Sequence, residues 1–196
     1  MNLYNFFEHM FRWILLILFV YYLCKRNYKV MKAAGLILAL SFLPALLAFF
    51  VKITIDSGSY IIYCIILFTS LYLGSSLGFY DRYKWWDRMV HFLSGAGFVG
   101  FGIAVTRLNP ETPVAGMLSF GYTFSVTLHV FWEILEYWND CLTHGNAQRW
   151  QKIHNSRNHV SEQAIQPAGL VDTMNDLICC VAGAFLAVII WWMVLL

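Results

Sequence analysis

Charge is scarce in this sequence. Asp, Glu, Lys and Arg make up 12% of its 196 residues, against about a quarter in an average soluble domain, which excludes water as the main solvent. The net charge is only +2. The basic residues are divided among separate loops and form no block suited to nucleic acid, so no nucleic-acid partner is expected. None of the five cysteines (Cys24, Cys64, Cys141, Cys179, Cys180) stands in a CxxC pair. Neither a disulfide framework nor a zinc knuckle follows, and buried free thiols are expected instead. Trp13 to Cys24 has the apolarity of a signal peptide without its flanks. Only Arg12 precedes the run, no small-residue cleavage site follows it, and Tyr22-Leu23 before Cys24 is a poor lipoprotein site. A retained first helix is the expectation.

Apolar residues, by contrast, reach 60%, grouped in runs near the roughly 20 residues that cross a hydrocarbon core of about 30 Å. The expected fold is all-α: a polytopic transmembrane helical bundle forming one membrane domain over 1–196. Six spans are predicted at roughly 5–24, 31–51, 60–79, 88–107, 114–138 and 169–196. Five is the alternative, with the first helix interfacial, because its opening turns carry Asn5, Glu8, His9 and Arg12. Pro44 predicts a kink in the second span. The longest polar break, about 139–168, contains His144, His154 and His159. The loops after spans one, three and five hold ten basic residues (Lys25, Arg26, Lys29, Lys32; Arg82, Lys84, Arg88; Arg149, Lys152, Arg157), while the opposite side holds Arg12, Lys52 and Arg107. The positive-inside rule therefore places those three loops in the cytoplasm and both termini outside.

The informative polar residues lie on the last three spans. Asp87 opens span four and His91 follows one turn deeper, on the same face. His129, Glu133, Glu136 and Asp140 form a stripe within about 60° on span five, at about 100° per residue. Asp172, Asn175 and Asp176 share one side of span six. All three sets approach one membrane face. Several carboxylates near hydrocarbon cost several kcal/mol each unless paired, hydrated, protonated or bound to a cation. Basic side chains are one solution, and a divalent metal ion is the other. Oxygen ligands with one or two imidazoles suit Mn²⁺, Fe²⁺ or Zn²⁺, and oxygen-only subsets suit Mg²⁺ or Ca²⁺.

The expected metal ligands are Asp87, His91, Glu133, Asp172 and Asp176, with Glu136 or His129 moving a proton. Plainer roles stand beside these. Asp87 and Asp172 could cap helices, His129 could tie two helices together, and Asp140 could be a loop residue. Glu133 and Asp176, a turn or more inside their spans, fit the plain readings least. The run Ser94–Gly102, rich in glycine, lies inside a span and lacks the strand and lysine of a phosphate loop; close helix packing accounts for it better.

Three motifs carry a resemblance. Asp87-Arg88-Met89-Val90-His91-Phe92, Glu133-Ile134-Leu135-Glu136-Tyr137-Trp138 and Asp172-Thr173-Met174-Asn175-Asp176-Leu177, over about residues 80–185, resemble the YjdF-type bacterial inner-membrane proteins. A looser likeness is to the VanZ-like glycopeptide-resistance family. Where the first family has a Q-G-D step, this chain has Gln166-Pro167-Ala168-Gly169. The resemblance implies the bacterial cytoplasmic membrane and one shared site, and it supplies no reaction. Three functions compete: a metal-dependent enzyme acting on a lipid or lipid-linked substrate, a cation or proton transporter or channel, and a non-catalytic membrane scaffold or interaction protein.

Overall fold

The computed structural model describes residues 3–144, 147–148 and 167–196. Every regular element among them is helical. In chain order they are α1 (Leu3–Cys24), α2 (Tyr28–Leu40), α3 (Leu43–Phe50), α4 (Ser57–Leu67), a π-helical stretch (Phe68–Ser76), α5 (Phe79–Arg82), α6 (Trp86–Thr106), α7 (Val114–Thr143) and α8 (Ala168–Leu195). Six segments are long and apolar enough to cross a membrane: Phe6–Cys24, Tyr28–Phe50, Ser57–Ser76, Trp86–Thr106, Val114–Thr143 and Gly169–Leu195. The six-span expectation holds. Helices satisfy most backbone groups within their own segment, as hydrocarbon demands. The outer surface agrees, for Trp13, Ile17, Phe49, Phe50, Phe185 and Met193 all point outward, an arrangement stable against lipid tails and not against water.

The second span breaks between Leu40 and Leu43, and α3 restarts with Pro44 in its first turn. Proline lacks the N–H that would bond the carbonyl four residues back. That carbonyl, on Leu40, instead accepts from the Tyr63 hydroxyl at 3.1 Å. The adjacent Ser41 carbonyl accepts from Arg12 Nη2 at 2.9 Å and from the Tyr60 hydroxyl at 3.4 Å. Glu8 pairs with Arg12 one turn earlier at 2.6 Å. Two of the four polar residues that suggested an interfacial first helix, Glu8 and Arg12, therefore serve the kink in its neighbour.

Span three widens into the π-helical stretch, where the Thr69 and Ser70 hydroxyls bond back to the carbonyls of Ile65 and Ile66. Such side-chain bonds compete with the regular ladder.

α6 is the centre of the molecule: 61% of its spanning window is buried, against 6% for α1. Small residues let its neighbours approach. A Cβ on Gly95 would collide with the Cys180 carbonyl of α8, and one on Gly183 would collide with the Phe92 carbonyl of α6. The packing reading of the glycine-rich run is thereby borne out. Val99, Ile103, Ala184 and Ala187 close the apolar core beneath this crossing.

Candidate metal centre

Asp87 sits in the first turn of α6, which begins after Trp85 without any side-chain cap. The Trp86 indole N–H donates to the Thr69 carbonyl at 3.2 Å, holding this helix end against the π-helical stretch. One turn deeper, His91 is 5% exposed, and its Nε2 faces Asp87 Oδ1 at 3.7 Å. The same nitrogen faces Glu133 Oε1 of α7 at 3.8 Å. Asp176 of α8, 3% exposed, completes a group with Asp87 and His91 whose ligand atoms all lie within 4.8 Å of one another.

These separations are chemically specific. At 3.7 and 3.8 Å the nitrogen and oxygens are too far apart for hydrogen bonds, which need about 2.7–3.2 Å. They match two donors sharing a centre at about 2.0–2.3 Å from each. Glu133 Oε1 is buried and accepts no hydrogen bond among the described residues. A buried carboxylate oxygen left in that state costs about 1–3 kcal/mol or more.

The remaining expected residues divide. Neither Asp172 nor Glu133 belongs to the group of three whose ligand atoms lie within 4.8 Å of one another, and Glu133 joins the site through His91 Nε2 at 3.8 Å. Asp172 lies well inside α8, which starts after Pro167, and so is no cap. Glu136 accepts the Trp132 indole N–H at 2.7 Å. His129 is buried and doubly held: Nδ1 stands 2.9 Å from the Ser125 carbonyl and Nε2 stands 2.7 Å from Ser94 Oγ. A carbonyl can only accept, so in the neutral ring Nδ1 carries the proton and Nε2 is an acceptor that shares the one Ser94 hydroxyl proton with the Val90 carbonyl, 2.8 Å from the same oxygen. With Ser125 Oγ donating to the Gly95 carbonyl at 2.7 Å, these bonds stitch α6 to α7 directly below His91.

Asp140 is a helical residue of α7, not a loop residue. Its carboxylate accepts the backbone N–H groups of Ala147 and Gln148 at 2.7 and 2.9 Å. Gln148 Nε2 in turn donates to Thr173 Oγ1 at 3.1 Å, and the Thr173 hydroxyl is within hydrogen-bonding reach of Glu133. Thr173 and Gln148 escaped the sequence reading. The first stands inside the Asp172–Leu177 motif, whereas nothing in the spacing of Gln148 marks it. His144 ends α7 in a left-handed conformation, φ 54°. His154, His159, Arg149, Lys152 and Arg157 lie outside the described residues.

Compared with known proteins, residues 7–196 match the model of a family described as predicted membrane protein (DUF2238), the family of the YjdF-type proteins. No curated protein and no solved structure matches the chain.

Proposed function

The chain belongs to the DUF2238 family of predicted membrane proteins, and on that premise we propose that it holds a divalent cation and acts on a lipid or lipid-linked substrate at the membrane face where α6 begins. Asp87, His91 and Asp176 are the ligands, and Glu133 completes the set. One observation carries this reading: a single buried nitrogen, His91 Nε2, faces two carboxylate oxygens from different helices at 3.7 and 3.8 Å, spacings suited to a shared ion. One imidazole with carboxylates fits Mn²⁺, Fe²⁺ or Zn²⁺ better than Ca²⁺ or Mg²⁺.

Held by these residues, such an ion would supply Lewis-acid chemistry toward a phosphoryl or acyl oxygen or a water. Glu136, one turn toward the face and half-buried, is the group placed to carry a proton. His129, with both ring nitrogens engaged, acts as a positioning residue. The bias of basic residues in the sequence supports the cytoplasmic leaflet as the site's location, and the resemblance to the YjdF-type proteins supports a bacterial inner membrane.

A transporter role finds less support. Below Ser125, the α6 and α8 residues Val99, Ile103 and Ala184 are fully buried and apolar.

The test is metal content by mass spectrometry on full-length protein, purified in detergent and in native membrane particles. The reading expects about one Mn, Fe or Zn per chain, falling at least tenfold in Glu133→Ala and Asp176→Asn variants that keep their helical content. Stoichiometric metal absent from both preparations overturns it.

A further inference from the structure

Between α7 and α8 lies a groove of about 260 Å³. Its walls are apolar: Val130, Ile134 and Tyr137 on one side and Leu177 on the other. At its base lies Glu133, 5% exposed, with the carboxylate oxygen that accepts no hydrogen bond and faces His91. Thr173 and Gln148, joined at 3.1 Å, form its polar end. The two helices run in opposite directions here, so Tyr137 and Thr173 stand near the membrane face while Val130 and Leu177 stand deeper.

We infer that this groove seats one acyl chain of a glycerophospholipid whose phosphate reaches the cation site. The inference rests on the metal reading for the headgroup end and on the groove alone for the chain end. Val130 to Tyr137 covers about 10 Å of helix at about 1.5 Å per residue, some two-thirds of one leaflet's hydrocarbon depth of about 15 Å. A chain lying there keeps its methylenes on Val130, Ile134 and Leu177 and its glycerol level with Thr173. An acidic pocket repels a bare phosphate, and a cation held by Asp87, His91 and Asp176 reverses that sign. Apolar walls that end at a cation site suit an anionic lipid better than a soluble anion or a peptide. Lipid reaches the groove by lateral diffusion within its own leaflet, with no aqueous entry needed.

Full-length protein in neutral detergent is given phosphatidylglycerol bearing a photoactivatable diazirine midway along one acyl chain, then irradiated and mapped by peptide mass spectrometry. Label is expected on the peptides of Val130, Ile134 and Leu177, displaced at least fivefold by excess unlabelled phosphatidylglycerol. Label on Phe185, exposed elsewhere on α8, should not be displaced. Leu177→Trp, which fills the groove, should lose at least fivefold of the displaceable label while keeping its metal content. Ile134→Trp does the same from the facing helix should the first variant misfold. Label spread equally over groove and Phe185, or unchanged in both tryptophan variants, overturns the inference. Displaceable groove labelling by a protein without metal supports the groove and removes the metal reading, so the two fail separately.

Discussion

Glu133 and His91 meet across two helices, Oε1 to Nε2 at 3.8 Å, each less than a tenth exposed. They are too distant for a hydrogen bond and too buried for water to separate them cheaply. A removable positive charge between them should therefore dominate the stability of this end of the bundle.

Thermal unfolding in detergent provides the first check. Metal at a hundredfold excess over its dissociation constant should stabilise wild type by about 2.7 kcal/mol through mass action. Asp176→Asn should lose that gain and be the more stable protein once metal is stripped by chelator, since it removes one of several like charges from a buried cluster. Equal chelator sensitivity in both proteins would contradict the assignment of Asp176 as a ligand.

The α6–α8 crossing makes a second prediction. Gly95→Ala puts a Cβ into the Cys180 carbonyl, and backbone cannot step aside as a side chain can. A loss of about 1–3 kcal/mol or more is expected from such overpacking. Gly116→Ala is the control, since its Cβ would find ordinary contacts at 3.4–3.6 Å and gains about 0.5–1 kcal/mol of helix preference. Melting temperatures should move in opposite directions.

A third prediction concerns His129. Ser94→Ala removes the hydroxyl 2.7 Å from Nε2 and should cost about 1–3 kcal/mol by leaving a buried acceptor unmet. In a His129→Phe background the same change should cost much less, giving a coupling of about 1 kcal/mol in a double-mutant cycle. Additive effects would mean the contact contributes nothing.

The kink in span two offers a fourth. Tyr63→Phe should cost about 1 kcal/mol, because Pro44 leaves the Leu40 carbonyl dependent on that hydroxyl. Pro44→Ala restores the missing N–H, so Tyr63→Phe should be nearly neutral in that background. The comparison is read from denaturation midpoints of the four proteins.

Much of this architecture was legible beforehand. Apolar runs gave the six spans, and four-residue spacings placed Asp87 with His91 and His129 with Glu133, because helical periodicity is a local property. The depth at which helices cross is not local. Asp172 and Asp176 share a face by the same spacing, yet only Asp176 stands in the group with Asp87 and His91. Glu136 was read as a proton-moving acid, and the Trp132 indole N–H that it accepts from one turn earlier was not foreseen. The π-helical stretch and the fold-back of Gln148 onto Thr173 left no periodic trace at all. Both depend on particular hydroxyl and amide partners and not on a pattern of hydropathy.

The Arg12 contacts bear on how the chain is made. When α1 first enters the bilayer, α2 and α4 have yet to be synthesised, so Ser41 and Tyr60 are absent and Arg12 has only Glu8, one turn away on its own helix. That internal pair halves the charge problem during insertion. Once the kinked second span arrives, the Ser41 carbonyl at its break supplies the second partner. The first helix can thus enter with Arg12 paired on its own turn and gain its register only when the break at Pro44 is in place.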